Sequence, residues 1–318
     1  MSKLKQLSDV DLRLLRVFVV IVDQGSFSGA QGQLNISQSV LSENLKSLEI
    51  RLGIRLCERG PGGFRVLPEG EQVYKSAKRL FAAVEDFKTD LADVGEGLAG
   101  DLVIALEDEI MSNPKCNLPD AIGDFLKLHG RKVRLKIEIM AGYQVLSRVA
   151  EGSAQIGISV AVDKTETRGL QSLPLFTETL RLCCAKGHPL FLEKTPQFDA
   201  DEMAGFEYSN RGHLEPENFL GPMASQQEGD IGLGAQAQLA LVLSGRDIGF
   251  IPVHIAEAYV GSGRLRYIGT DAFGASENDV VAVTRRKNQG VKMIDLFLRQ
   301  LAKAHGMPMA PLLKRSAN

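Results

Sequence analysis

The alternation of apolar and polar residues divides the chain into three parts. The first 67 residues show the period of short helices, residues 68–94 keep one helical period throughout, and the region from residue 101 onward alternates short strands with helices. The pattern therefore predicts an α/β protein with a helical N-terminal part and a larger part built on a sheet.

Residues 26–52 predict two helices joined by a tight turn. Ser26 or Ser28 can cap the shorter first helix, and Asn35 suits the turn because its side chain tolerates a positive φ. Ser37 can cap the second helix. One face of that helix is apolar (Val40, Leu41, Leu45, Leu48, Leu52), and the opposite face begins with polar side chains (Gln38, Ser39, Ser42, Lys46). This arrangement is typical of a helix-turn-helix that reads the DNA major groove, although small helical bundles that bind no DNA also use it.

The flanking residues favour DNA binding. An amphipathic helix, with Asp9 as its cap, precedes the motif and has the apolar residues Leu12, Leu15, Val19 and Val22. Two extended runs, 55–58 and 64–67, surround a glycine-rich turn and predict a hairpin, or wing, with Arg59 and Arg65 at its base. Residues 1–66 hold nine basic and six acidic residues, a net charge of +3, whereas the whole chain has −2. This modest charge predicts weak non-specific affinity for phosphates.

Residues 68–94 predict one long helix that pairs with another helix. Pro68 suits its first position, where a missing N–H costs nothing. Apolar residues then follow at alternating spacings of four and three: Val73, Ala77, Leu80, Val84, Phe87, Leu91 and Val94. This heptad repeat indicates a dimer seam, although a helix that lies on its own domain could carry it too. Gly95, Gly97 and Gly100 predict a hinge after the helix.

The region from residue 101 predicts an α/β sheet with parallel strands. Strands are predicted near 102–106, 133–139, 155–160, 172–185, 206–209, 248–252, 265–268 and 279–284, and helices near 117–128, 143–151, 234–244, 253–260 and 291–304. The simplest interpretation is two lobes, the second inserted into the first. Lobe 1 would hold residues 101–162 and 275–305, lobe 2 residues 168–270, with crossovers near 161–169 and 269–276. Residues 306–318 would form a mobile tail.

Segments 12–30, 34–56 and 57–70 resemble the LysR-type transcriptional regulators, and the likeness continues more loosely to about residue 305. The resemblance implies a winged helix-turn-helix at 9–67, a dimerising linker helix and hinge at 68–98, and an effector-binding domain at 101–305 that looks like a periplasmic solute-binding protein. The implied function is sequence-specific DNA binding and transcriptional regulation, modulated by a small molecule. The implied DNA-contacting residues are Ser26, Ser37, Gln38, Ser39, Ser42, Lys46, Arg59 and Arg65. The implied partners are promoter DNA, further copies of the chain in a dimer and a tetramer, RNA polymerase and an unidentified small-molecule effector.

Glu43 departs from the family, which usually has a basic residue at this position. A carboxylate beside DNA phosphates is repulsive. Glu43 either accepts a hydrogen bond from a cytosine amino group, or it pairs with Ser39 or Lys46 and weakens DNA binding. We favour the pairing.

The same resemblance implies an effector site in the cleft between the lobes. Its implied residues are Glu107, Asp108, Ser112, Tyr143, Gln144, Ser159, Asn210, Arg211 and Gly234. Many relatives bind an organic acid at helix N-termini, and Arg211 suits such a ligand. Glu107, Asp108 and Glu109 instead suggest a cationic or neutral effector, such as an amine, unless these acids point to solvent. We favour the solvent-facing interpretation.

Other features argue against further classes of function. The four cysteines show no metal or disulfide spacing, and no signal peptide or membrane-spanning run is found, so we expect a cytoplasmic protein with no membrane partner. The five histidines are scattered and no catalytic or nucleotide-binding motif occurs, so we expect no enzyme, cofactor or metal. Two alternatives stay open: an architectural DNA-binding protein with a non-sensing C-terminal domain, and a redox-responsive regulator. The segment 211–214, which resembles a peroxide sensor of relatives, contains no cysteine.

Overall fold

The computed structural model divides into two compact units, Met1–Lys88 and Thr89–Asn318. It describes residues 6–60, 63–94, 98, 100–129, 133–161, 169–192, 205–209, 211, 230–269 and 274–308.

The first unit combines helices with a two-stranded hairpin. Its elements are α1 (Asp9–Asp23), α2 (Phe27–Leu34), α3 (Gln38–Leu52), β1 (Cys57–Gly60), β2 (Gly63–Val66) and the first part of α4 (Pro68–Val94). Phe18, Leu41 and Leu48 are fully buried in its core. β1 and β2 pair antiparallel, and the ring of Phe64 on β2 packs edge-on against Phe27. The winged helix-turn-helix predicted from the sequence is therefore confirmed.

The turn between α2 and α3 follows from local side chains. Asn35 has φ 53°, in the left-handed region that its short side chain tolerates. The Ser26 hydroxyl accepts a hydrogen bond from Gly29 N at 3.1 Å and caps α2. The Ser37 hydroxyl caps α3. These parts of the motif are as predicted.

The predicted cap of α1 is wrong. Ser8, not Asp9, is the N-cap, and its backbone N–H donates to the carboxylate of Asp11 at 2.8 Å. An acid at the third helical position can reach back to the N-cap N–H, which an acid at the first position cannot do. Asp11 is fully buried, and its carboxylate also accepts from Arg51 on α3. The cap thus ties α1 to α3.

Val40 also differs from its prediction. Its side chain is 41% exposed, whereas Leu41, Leu45 and Leu48 are buried. The buried stripe begins at Leu41, and the preceding residue is turned about 100° away from it around the helix. The buried side of α3 is therefore narrower than the sequence suggested.

The first part of α4 packs on its own unit. Val73, Ala77 and Leu80 contact the core of the N-terminal unit, whereas Phe87 is 61% exposed. The early heptad positions therefore serve an intramolecular contact, as the alternative interpretation allowed. The side chains of Leu91 and Val94, and the hinge residues Gly95 and Gly97, lie outside the described residues; Gly100 is the first residue of the next strand.

The second unit is built on one sheet. Its strands are β3 (Gly100–Glu107), β4 (Val133–Met140), β5 (Ile156–Val160), β6 (Leu170–Ala185), β7 (Gly249–Pro252), β8 (Leu265–Tyr267) and β9 (Ala275–Arg285). Its helices are α5 (Leu118–His129), α6 (Gly142–Glu151), α7 (Ala235–Leu243), α8 (Val253–Gly261) and α9 (Lys292–Ala304). The strand order is β4-β3-β5-β9-β6-β7, and β8 pairs with β6.

The sheet is only partly parallel, which corrects the prediction. β3 pairs in parallel with β4 and β5, but β5–β9, β6–β9, β6–β7 and β6–β8 are antiparallel. β6 and β9 pair from Leu170–Arg285 to Arg181–Ala275, with an irregularity between Pro174 and Phe176. Periodicity identifies strands but does not identify their neighbours, so long-range antiparallel pairing was not visible in the sequence.

Two hydrophobic cores define the lobes. Phe125 on α5 and Phe297 on α9 are fully buried in lobe 1 and pack edge-on with ring centroids 5.2 Å apart. Leu173 on β6 belongs to this core, whereas Leu182 on the same strand belongs to the core of lobe 2 with Phe250. The passage from lobe 1 to lobe 2 thus lies within β6, later than the predicted residue 168.

Among the described residues, none of the helices has both the length and the apolar character that crossing a bilayer requires.

Candidate DNA interface and effector cleft

The exposed side of α3 carries the polar residues predicted to read DNA. Gln38, Ser39 and Lys46 are exposed on α3, and Arg65 is exposed on β2. The side chain of Arg59 lies outside the described residues. The exposed amide, hydroxyl and cationic groups can bond to base edges or phosphates.

All four of the predicted serines already have local partners. Ser26 and Ser37 cap their helices, and the Ser42 hydroxyl donates to the backbone carbonyl of Gln38 at 2.8 Å. Ser37 Oγ also lies 2.9 Å from Ser39 Oγ. The Ser37 cap stabilises the start of α3, which orients Gln38 on its first turn.

Glu43 does not form the contact that we favoured from the sequence. It is exposed on α3, and within the described part of the chain it makes no hydrogen bond or ion pair with Ser39 or Lys46. The hydroxyl of Ser39 faces Ser37 instead.

Glu107 lies at the end of β3 beneath the start of α6. It is only 2% exposed, and its carboxylate accepts a hydrogen bond from Val160 N at 2.8 Å. A Cβ atom on Gly142, the first residue of α6, would lie 2.8 Å from Glu107 Cδ, so a larger residue there would displace the carboxylate. The positive end of the helix dipole stabilises the acid. The prediction that these acids point to solvent is wrong for Glu107.

Asp108 extends from lobe 1 to a helix of lobe 2. The backbone N–H of Gln236, in the first turn of α7, donates to its carboxylate. Gly234 caps α7 with φ 106°, and a Cβ atom there would lie 2.5 Å from Asp108 Oδ2. Burial, followed by the nearby charge of Glu107, raises the pKa of Asp108 above its ordinary value. A carboxylate of one lobe thus occupies a helix N-terminus of the other.

A second contact between the lobes involves His254 on α8. His254 Nε2 lies 3.3 Å from the carbonyl oxygen of Glu109, and Nδ1 lies 3.3 Å from Asn113 Nδ2. Burial lowers the pKa of His254, which favours the neutral ring. The two neighbours fit a ring that donates from Nε2 to the carbonyl and accepts the Asn113 amide at Nδ1.

Arg211 is paired inside the protein. It is 4% exposed, and its Nη1 lies 3.7 Å from Glu178 Oε1 on β6. Asn278, directly opposite on β9, donates to the same Glu178 oxygen at 3.2 Å. The Arg211 guanidinium in the cleft region therefore already has a carboxylate partner, Glu178.

The other predicted effector residues serve varied roles. The Ser112 hydroxyl donates to the carbonyl of Glu109 at 2.7 Å, and Gln144 Oε1 accepts from Ala141 N at 3.3 Å at the start of its own helix. Tyr143 is 43% exposed, and Ser159 is buried beside the end of β5. Asn210 lies outside the described residues.

Both structural units match the same protein family. Residues 12–71 match the family described as "Bacterial regulatory helix-turn-helix protein, lysR family", and residues 95–306 match the "LysR substrate binding domain". The chain belongs to the LysR family. This LysR-family protein is a DNA-binding transcriptional regulator with a domain for a small-molecule effector.

Relatives of this LysR-family regulator align along most of its length. It is 32% identical to the HTH-type transcriptional activator BauR of Pseudomonas aeruginosa, over 94% of this chain and 97% of BauR. It is 25% identical to the SDS degradation transcriptional activation protein of a Pseudomonas strain, over 80% of this chain and 83% of that protein.

Solved structures share the fold of the LysR-family regulator. Full-length CbnR, a LysR family transcriptional regulator, has a TM-score of 0.58 at 16% identity, over 92% of this chain and 99% of CbnR. CbnR complexed with its target DNA has a TM-score of 0.60 at 17% identity, with the same coverage.

Three residues of the cleft were missed in the sequence of this LysR-family regulator: Glu178, His254 and Asn278. Glu178 stands between two threonines in a long strand, and nothing local distinguishes it from a surface acid. Asn278 reaches it only through strand pairing. His254 had a usable signal, because it follows the end of strand β7 at the start of a helix, where ligand sites of α/β folds concentrate.

Cys183 and Cys184 of the LysR-family regulator are poorly suited to oxidant sensing. Cys183 and Cys184 are fully buried and belong to cores on opposite faces of β6, as adjacent strand residues should. Burial raises the pKa of Cys183 to about 12 and that of Cys184 to about 11, which disfavours the reactive thiolate. Among the described residues, no group of side chains is arranged to hold a metal ion.

Proposed function

We propose that this LysR-family regulator reads promoter DNA with the start of α3. The proposal is carried by the way in which the polar side chains of this helix are used. Ser37 and Ser42 bond to the helix backbone, whereas Gln38, Ser39 and Lys46 are exposed. Gln38 supplies a bidentate amide suited to adenine. Arg65 on the wing, and Arg59 by its position in sequence, supply phosphate contacts.

We further propose that α4 dimerises the chain. Val73, Ala77 and Leu80 line an open groove of about 510 Å³ together with Leu15 and other apolar residues of the N-terminal unit. Phe87 continues the same heptad and is 61% exposed. A second copy of α4 would cover this apolar surface. Pairs of dimers would form the tetramer, and effector binding would alter contact with RNA polymerase.

The effector cleft lies between the lobes in this proposal, at the residues that join them. Asp108, Glu109 and His254 contact the opposite lobe, so a ligand bound among them acts on both lobes at once. A ligand shifts the conformation only if it binds two arrangements with different affinity. The protein acts in the cytoplasm with the chromosome, needs no cofactor, and is no enzyme in this proposal.

Selection from a random duplex library tests the DNA-binding proposal without knowledge of the promoter. The full-length protein should enrich a motif with two half-sites. Gln38→Ala should lose about 1–3 kcal/mol of discrimination at one base position of each half-site. Gln6→Ala, which removes an exposed amide ahead of α1, is the matched control and should enrich the unchanged motif. An unaltered preference for Gln38→Ala would show that α3 is oriented differently.

An architectural role would give a different result. A protein with a non-sensing C-terminal domain would protect the same DNA with every metabolite tested. Footprints on the DNA upstream of its own gene, recorded with and without candidate metabolites, separate the two functions.

A further inference from the structure

Asp108 has an incomplete set of bonds. Its carboxylate accepts from the backbone of Gln236, but Oδ1 is buried and has no hydrogen-bond partner among the residues that the structure describes. A buried acceptor without a donor is costly. Such a group persists where a ligand supplies the missing donor.

The charges around Asp108 increase this cost. Glu107 and Glu109 flank it in sequence, and both raise its pKa through repulsion, after burial as the main cause. Arg211 opposes them but lies 3.7 Å from the carboxylate of Glu178. A cation in the cleft would therefore offset an excess of negative charge.

A second unpartnered group lies on the strand next to Glu107. Ser159 is 1% exposed, and its hydroxyl has no hydrogen-bond partner in the described part of the chain. Ser159 shares a face of β5 with Gly157, and a Cβ atom added to Gly157 would touch Val145 of α6. Glu107 lies under the start of this same helix, on the neighbouring strand. The hydroxyl can therefore accept from a ligand that reaches Glu107.

We propose that the effector carries an ammonium group and that Asp108 binds it in the interlobe cleft. This inference rests on the proposed effector site. Asp108 already occupies the N-terminus of α7, so the carboxylate of an organic acid cannot bind there. An ammonium group brings a donor for Asp108 Oδ1, and its charge offsets the three neighbouring acids.

Melting of the full-length protein tests this inference with small probes. Methylammonium chloride should raise the melting temperature of the effector domain by about 2 °C relative to sodium chloride at equal ionic strength. Asp108→Asn keeps the shape of the side chain and should lose this shift. Asp101→Asn, at the exposed opposite end of β3, is the matched control and should keep it.

Removing the Asp108 carboxylate from the N-terminus of α7 gives a second test, with an anion as the probe. Sodium formate should not stabilise the natural protein beyond sodium chloride, but it should stabilise Asp108→Ala, because the N-terminus of α7 is then free. The inference is overturned if methylammonium acts equally on the natural protein and Asp108→Asn, or if it does not act on either. If the inference fails but Asp108→Asn still selects the same DNA motif, the DNA-binding proposal stands. If the natural protein selects no DNA motif at all, the proposed function itself is refuted.

Discussion

Two aspartates, one in each unit, differ in how completely their carboxylates are bonded. Asp11 of the DNA-binding unit is fully buried and accepts from Ser8 and Arg51, at 2.8 and 2.9 Å. These bonds hold its pKa below its ordinary value. Asp108 of the effector domain lies among other acids, has a buried oxygen without a donor among the residues that the structure describes, and has a raised pKa.

The difference separates a structural acid from a binding one. Asp11 stabilises the protein because its charge-assisted bonds complete the cap of α1 and join α1 to α3. Asp108 contributes little to stability while its acceptor is unsatisfied, so its presence at the lobe boundary is better explained by a ligand. Burial alone does not distinguish the two roles, whereas the list of donors does.

The largest expected effect concerns Glu107, the other buried acid of the cleft. Gly142→Ala should destabilise the effector domain by about 1–3 kcal/mol, because the new Cβ would displace the Glu107 carboxylate. Chemical denaturation measures the loss. Gly123→Ala on α5 is the matched control; a Cβ there meets open space, and the change should stabilise by about 0.5–1 kcal/mol. If Gly142→Ala and Gly123→Ala changed the free energy of unfolding equally, the Glu107 carboxylate would be free to move away from the new Cβ atom.

Asp11 should show the next largest effect. Asp11→Ala removes the cap of α1 and the partner of Arg51, and loss of a helix cap costs about 1 kcal/mol. In a unit of this size, that lowers the melting temperature by about 4–8 °C. Calorimetry should show the decrease in the transition of the DNA-binding unit. Asp9→Ala, at an exposed position of the same helix, should leave that transition nearly unchanged.

The smallest effect is a difference in pH dependence. Because the pKa of Asp11 is lowered, its contribution to stability is complete above pH of about 4 and is lost as the pH falls towards the folded-state pKa. Because that of Asp108 is raised, the effector domain loses stability as the pH rises from about 4 through the folded-state pKa. Melting temperatures across a pH series should show that Asp108→Asn removes this decrease. An identical profile for the variant would contradict the assignment.

Local sequence predicted the DNA-binding unit better than the cleft. The turn at Asn35 and the cap at Ser37 depend on neighbouring residues, so they could be read directly. The cap of α1 was assigned one residue too late because Asp9 and Asp11 both suit a first turn. The roles of Asp9 and Asp11 could be told apart only from the contact between Asp11 and Arg51, which lies 40 residues away in sequence.

The cleft depends on long-range pairing that no local pattern contains. Its acidic loop was visible in sequence, yet the partner of Arg211 was not, because Glu178 becomes its neighbour only in the folded sheet. The antiparallel pairing of β6 with β9 was missed for the same reason.

The pairing of β6 with β9 also limits how the effector domain can move. The two strands hold each other from lobe 1 into lobe 2, so wide separation of the lobes would break a continuous ladder. The β6–β9 ladder is weakest at the irregularity near Pro174, because proline has no N–H to donate to the partner strand. The domain should therefore respond to a bound molecule by twisting along this ladder and not by wide opening of the two lobes.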